Sequence, residues 1–323
     1  MTDTAERSGR ATNPISVQGL CKAYGGKNVV DGVDLEVRAG EVFGFLGPNG
    51  AGKTTTVDIL TGCRPRTSGQ VSVLGVDPAK DARKWRARLG VVPQSTGIFF
   101  EVTVGELLRQ FASFYRDPLP VDEVIEMVGL TAKAGEKTQN LSGGQQRRLD
   151  VAIGVIGDPE LLFLDEPTTG LDPEARREAW ELVRYFGDRG TTTVLTTHYL
   201  DEVEALAQRA AIIVKGRIVE VGSIAELTDR GSREAHVAFT LPEPLRRVPL
   251  PHLRGHDAVR PDREGRVRIP TKEPSQVAFA MLSWAREHHV QELAGFRVVQ
   301  PTLEDTYLAL VRDQDEHTST EGE

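Results

Sequence analysis

The chain has 323 residues, 39% of them hydrophobic and 27% charged, with a formal net charge of −8. That length suits two domains of ordinary size, and the composition suits a packed core. The acidic balance excludes sequence-independent nucleic-acid binding, which runs on Lys and Arg neutralising phosphates.

Residues 1–13 and 313–323 are polar and are expected to be disordered. The first stretch lacks the apolar centre of a secretory signal. The longest apolar runs, Leu161 to Leu164 and Ala210 to Val214, fall far short of the roughly twenty residues that span a bilayer. Two cysteines, Cys21 and Cys63, cannot form a disulfide framework and are expected as buried, inert thiols in a reducing compartment.

From Ile15 to about Gly231, short apolar strands alternate with helical stretches. The expected fold is α/β, with functional residues at the carboxyl ends of parallel strands. Glu41 to Leu46 reads as a buried strand running into Gly47-Pro48-Asn49-Gly50-Ala51-Gly52-Lys53-Thr54, with Thr55 next. A strand before and a helix after are the setting of a phosphate-binding loop. Glycines 47, 50 and 52 let consecutive N–H groups point inward at phosphate oxygens. Lys53 adds a point charge, and Thr54 offers a hydroxyl to Mg²⁺. Val91-Val92-Pro93 brings Gln94 to another strand end.

Residues 95–150 read as a helical insert. Leu107, Leu108, Phe111, Phe114 and Tyr115 recur at helical spacing and are expected in the core. A second helix is expected over Val121 to Leu130. The insert leads into Leu141-Ser142-Gly143-Gly144-Gln145, where Ser142 and the amides of Gly143 and Gly144 open a helix. Its positive dipole end suits a γ-phosphate. Leu161 to Leu164 then ends in Asp165 and Glu166, two acids whose burial would be costly without a cation nearby. Thr193 to Thr196 is a further strand, ending at His198, and Ala210 to Gly222 reads as a hairpin around Lys215-Gly216.

After Gly231 the prolines at 242, 244, 249 and 251 mark a loop-rich start to a small α+β domain over 232–312. A strand is expected at Gly265 to Ile269, a helix at Pro274 to His289, a strand at Phe296 to Val299 and a last helix at Leu303 to Val311. Pro242 to Lys272 carries eight Lys and Arg against four acids. That excess fits either a solvated loop or contact with anionic headgroups or an acidic partner surface.

The phosphate loop, followed about ninety residues later by the Leu141–Gln145 motif, resembles the ATP-binding subunit of an ABC (ATP-binding cassette) transporter. The resemblance covers Ile15 to Gly231 and implies a P-loop NTPase core of the ABC ATPase type over 14–231, with ATP and Mg²⁺ bound. It implies that Thr54, Asp165 and Gln94 attend Mg²⁺, and that Glu166 orients and polarises the attacking water. It further implies that His198 contacts the γ-phosphate, Lys53 binds phosphate and Tyr24 stacks on adenine. Asp172 matches the loop through which the two ATP sites communicate.

In that family the Leu141–Gln145 motif lies too far from its own phosphate loop to share one ATP. A head-to-tail homodimer is implied, each ATP lying between Lys53 of one chain and Ser142, Gly143, Gly144 and Gln145 of the other. ATP binding closes the pair and hydrolysis opens it. The ending Pro301-Thr302-Leu303-Glu304-Asp305-Thr306-Tyr307-Leu308 is similar to ATPase subunits of bacterial exporters of the daunorubicin/doxorubicin-resistance type. That branch implies a separately encoded permease, a hydrophobic or lipid-like cargo and a place on the inner face of the membrane. An import ATPase and a non-transport ABC ATPase are the alternatives.

Overall fold

The structure is a computed structural model. It describes residues 13–80, 83–94, 101–230, 235–246, 248–251, 253, 259–300, 302–308 and 310–311. The chain divides into two compact units between Ile224 and Ala225.

In the first unit, β1 (Ile15–Tyr24) and β2 (Lys27–Val37) form an antiparallel pair. The chain then runs through β3 (Val42–Leu46), α1 (Lys53–Leu60) and β4 (Ser68–Val73), which returns to pair with β1. A short α2 (Arg83–Arg86) and β5 (Leu89–Val92) precede the helical insert, α3 (Val104–Ala112) and α4 (Val121–Met127). There follow α5 (Gly143–Val155), β6 (Leu161–Asp165), α6 (Pro173–Asp188), β7 (Thr192–Thr197) and α7 (Leu200–Leu206). The hairpin of β8 (Arg209–Val214) and β9 (Arg217–Ser223) closes the series, and α8 (Ile224–Arg230) opens the second unit.

The large sheet has the order β5-β6-β7-β3-β8-β9 and is parallel except at the β8–β9 edge. Every position of β3, β6 and β7 is buried, as parallel strands covered on both faces require. Alternation along each strand sorts its side chains between two cores. Leu161 and Phe163 join Phe43, Phe45 and the antiparallel sheet, whereas Leu162 and Leu164 join Leu108 and Val155 of the helical side.

Three expectations are corrected here. Phe114 is 69% exposed, because α3 stops at Ala112 and Phe114 leaves its inward stripe to meet Phe111 edge-on. The second helix ends at Met127 rather than Leu130, where the chain turns through Gly129 at φ 64°. Cys63 is exposed, lying three residues past the end of α1, and Cys21 is half-buried, its sulfur accepting from the Gly32 amide at 3.2 Å. The antiparallel β2-β1-β4 sheet was not foreseen.

The second unit has β10 (Ala235–Thr240) between β11 (Arg266–Thr271) and β12 (Ala294–Val299), all antiparallel. Helix α9 (Pro274–Glu287) packs Val277, Met281 and Trp284 into the core formed with Val237, Phe239, Val267 and Ile269. β10 was not foreseen either. Residues 303–308 are helical, and the Thr306 hydroxyl donates to the Leu227 carbonyl at 2.8 Å. In the basic segment, Arg266 is taken up by Asp262 and Glu264. Ala238 stands opposite both Arg268 and Arg297, which are exposed. Arg247, Arg254 and Asp257 lie outside the described residues.

Candidate active site

Strands β6, β7 and β3 are neighbours, and register sets Asp165 opposite Thr196 and Leu46 opposite Thr197. The loops they release therefore meet at one level of the sheet. In the first of these loops, a β-carbon on Gly47 would collide with the Ile213 carbonyl. One on Gly52, at φ 103°, would lie 2.7 Å from the Val29 carbonyl. Neither position admits a side chain, so the backbone itself faces the loop's interior. Ala51 is buried, and its amide donates to the Pro48 carbonyl at 3.2 Å.

Lys53, the first residue of α1, is 5% exposed. Its ammonium donates to the carbonyls of Gly47 (2.8 Å) and Pro48 (3.2 Å) and lies 3.5 Å from Glu166 Oε1. Burial draws the Lys53 pKa below its ordinary value, against the opposing pull of Glu166. The Thr54 hydroxyl donates to Asp165 Oδ2 at 3.2 Å, and the Thr196 hydroxyl donates to Asp165 Oδ1. A hydroxyl touching a carboxylate at the mouth of a cavity is an oxygen donor set that fits a hard divalent cation.

Glu166 has φ 46°, in the left-handed region, and its amide donates to the Thr196 carbonyl at 3.0 Å. Its carboxylate collects the cluster. Gln94 Nε2 donates to Oε2 at 3.0 Å and the Thr169 hydroxyl at 3.1 Å, while His198 Nδ1 lies 3.3 Å from Oε1. Burial pushes the Glu166 pKa up, but His198, Lys53 and Thr169 together outweigh it and hold the group below its ordinary value. His198 Nδ1 is itself shielded and makes no hydrogen bond of good geometry among the described residues.

A cavity of about 340 Å³ is lined by Val29, Asn49, Gly50, Gly52, Lys53, Thr54, Thr55, Gln94 and Glu166. Among the described residues its lining includes none of Ser142, Gly143, Gly144 or Gln145. Those four open α5 in a capping box. Ser142 Oγ accepts from the Gln145 amide at 3.3 Å, and Gln145 Oε1 accepts from the Ser142 amide at 3.0 Å. The amides of Gly143 and Gly144, in the first turn, have no intrahelical acceptor.

Tyr24, 42% exposed at the end of β1, has the Lys22 ammonium 4.9 Å from its ring centroid and accepts from Arg64 at 2.6 Å. Asp172 caps α6, accepting from the amides of Glu174 and Ala175. The structure thus gathers Lys53, Thr54, Gln94, Asp165, Glu166 and His198, and leaves Tyr24 and Ser142 to Gln145 outside that cluster.

The model of the family described as ABC transporter matches residues 30–169. A second, described as ABC transporter domain-containing protein-like, C-terminal domain, matches residues 235–302. The chain is 37% identical to the Nod factor export ATP-binding protein I of Rhizobium meliloti (strain 1021), over 95% of this chain and 90% of that protein. It is also 37% identical to the daunorubicin/doxorubicin resistance ATP-binding protein DrrA of Streptomyces peucetius, over 96% of each. The chain belongs to the ATP-binding proteins of ABC transporters. A solved ATP-binding subunit of an ABC transporter, 26% identical, superposes with a TM-score of 0.61 over 67% of this chain and 92% of that one. The protein is therefore an ABC ATPase, and its reaction is ATP hydrolysis.

Sequence reading of this ABC ATPase missed Thr169, Thr196 and Arg147. The two threonines carry no local signal. Arg147 carries one: with Val151 and Val155 it forms an i, i+4, i+8 stripe, so a cation stands on the inward face of α5.

Proposed function

We propose that this ABC ATPase is the engine of an exporter, working as a homodimer with two shared ATP sites beneath a separately encoded permease. The names of the two relatives, one of Nod factor export and one of drug resistance, support export of a hydrophobic drug or lipid-like compound. Among the described residues no helix is long and apolar enough to cross a membrane, and this reading assigns the pore to the permease.

The observation that carries the chemistry is the convergence of Lys53, Gln94, Thr169 and His198 on one carboxylate at the end of β6. Held below its ordinary pKa, Glu166 is ionised at neutral pH and can orient and polarise a water for attack on the γ-phosphate. Lys53 and the loop amides grip the phosphates, and Tyr24 offers its ring to adenine. Thr54, Asp165 and Gln94 would hold Mg²⁺, which when bound neutralises charge on the transferred phosphoryl group. His198 and Gln94 keep the carboxylate aimed.

The absence of Ser142 to Gln145 from the cavity lining supports the shared site, in which the second half of the phosphate contacts comes from another copy. Mixing a Lys53→Ala chain with a Ser142→Arg chain tests it. Each homodimer should be nearly inactive, whereas free exchange should rebuild about a quarter of all sites. A fused tandem carrying both substitutions in one half should stay inactive while the wild-type tandem works. About half-activity in that fused variant would place each site within a single chain and overturn the reading.

A further inference from the structure

Arg147 lies five residues past Ser142, about 7.5 Å along the same helix. It is 8% exposed, and its guanidinium is divided among three backbone carbonyls. Nη1 donates to Pro93 at 2.6 Å, Nη2 to Asp165 at 3.0 Å and Nε to Pro167 at 2.8 Å. Asp150, less than one turn further along α5, lies 3.7 Å from Nη1. The three carbonyls belong to the residue before Gln94 and to the residues on either side of Glu166. A guanidinium offers its donors in a rigid planar fork, so the three points it holds are fixed relative to one another and to α5.

We propose that Arg147 is a positioning residue that couples the two ATP sites. The inference rests on the shared-site reading above. In that arrangement the first turn of α5 meets the nucleotide held by the other copy, while Gln94 and Glu166 serve the nucleotide held by the same chain. One short, rigid helix therefore has one end on each site. When α5 shifts as its first turn engages or releases a phosphate, the Pro93, Asp165 and Pro167 carbonyls follow. A buried charged donor that lost them would be left unsatisfied. The seat of Glu166 thus depends on what occupies the opposite site, and hydrolysis at either site is conditional on both.

The test uses the full chain, with ATPase rate measured against ATP concentration, affinity for a fluorescent ATP analogue and melting temperature. Wild type should give a Hill coefficient above 1 and at most 2, the number of sites. Arg147→Lys keeps the charge but not the fork, and Arg147→Met keeps only the bulk. Both should bring the Hill coefficient to 1 and lower kcat roughly 10- to 100-fold, the effect of a misplaced reacting group. Affinity for the analogue should stay within about twofold, the change expected when only positioning is lost. Val151→Ala, a packing change on the same helix, should lower the melting temperature and leave the Hill coefficient unchanged.

A folded Arg147→Lys protein with the wild-type Hill coefficient would overturn the coupling role, as would a wild type without cooperativity. If Arg147→Met does not fold, Arg147→Lys decides. The fused-tandem experiment separates the two ideas. Half-activity there removes the shared site itself, whereas an inactive tandem beside an Arg147→Lys protein of unchanged cooperativity removes the coupling alone.

Discussion

The first unit buries charge at its sheet ends, where Lys53, Arg147, Asp165, Glu166 and Glu202 are each at most 8% exposed. In the second unit the buried polar groups among the described residues are two threonines, Thr271 and Thr306, and Arg266 pairs with Asp262 and Glu264 at the surface. Removing an ion from water costs several kcal/mol even after relaxation. The second unit avoids that cost with an apolar core of Val237, Phe239, Met281 and Trp284. The first unit accepts it at Lys53 and Glu166, which line a cavity, and at Asp165, Arg147 and Glu202 behind them, each met by a partner within a few ångströms. Buried charge therefore gathers around the cavity of the first unit.

The sharpest break in that contrast comes from Glu166→Gln. The phosphate loop and Thr54–Asp165 pair stay intact, so nucleotide binding should persist while turnover falls about 10²- to 10⁴-fold. Size-exclusion chromatography with ATP should show an accumulated dimer. Turnover near the wild-type rate would remove Glu166 from its role.

Trp284→Ala tests the other side. It empties part of an apolar core and should destabilise the second unit by about 3–5 kcal/mol. Calorimetry should show that loss with ATP-analogue affinity unchanged, and a matching loss of affinity would mean that the second unit supports the site.

Glu202 sharpens the comparison through pH. Burial raises its pKa, and the Trp180 indole donates to it at 3.2 Å. The folded state then keeps a proton that the unfolded chain releases near pH 4.3, so this group's contribution to stability falls as pH rises from there to its folded pKa. Glu202→Gln supplies a donor that does not titrate and should flatten that part of the stability profile. Glu166 runs the other way. Its lowered pKa contributes stability above about pH 4.3 and loses it as pH falls through the folded value. Parallel slopes for wild type and Glu202→Gln would contradict the assignment.

The smallest effect belongs to Arg268 and Arg297, which sit exposed across strands from Ala238. Replacing both with Gln should change stability by no more than about 0.5 kcal/mol. Reading the basic segment, Arg268 included, as a contact for anionic headgroups predicts roughly fivefold weaker low-salt vesicle association for the Arg268 replacement, and the neighbouring Arg297 extends the same face. Unchanged association leaves a solvated face.

How much of this was legible depends on the range of the signal. The phosphate loop, Asp165-Glu166 and the helix start at Ser142 were readable because each is set by a few consecutive residues. The β2-β1-β4 sheet was not, since its pairing joins residues such as Ile15 and Val73 and shifts register within β1. β10 was readable in principle. Ala235, Val237 and Phe239 alternate with His236, Ala238 and Thr240, but the prolines that follow drew the segment toward loop. Arg147 could be placed inward from its stripe, yet its three carbonyl partners come from loops far apart in sequence. Phe114 and Cys63 failed for a simpler reason: each stands just past the end of a helix whose spacing no longer governs it.

The left-handed backbone at Glu166 has a consequence for anyone who would harden this protein against heat. A side chain held there costs roughly 1–2 kcal/mol relative to glycine's freedom, partly offset by the looser unfolded chain that glycine brings. Glu166→Gly would therefore relax the turn after β6 and also remove the carboxylate from its buried cluster. The carboxylate that would be lost also contributes stability at neutral pH, and its loss leaves the buried Lys53 ammonium without its carboxylate, so the relaxed turn would not by itself raise the melting temperature. Strain at this turn is held in place by the same contacts that aim the carboxylate.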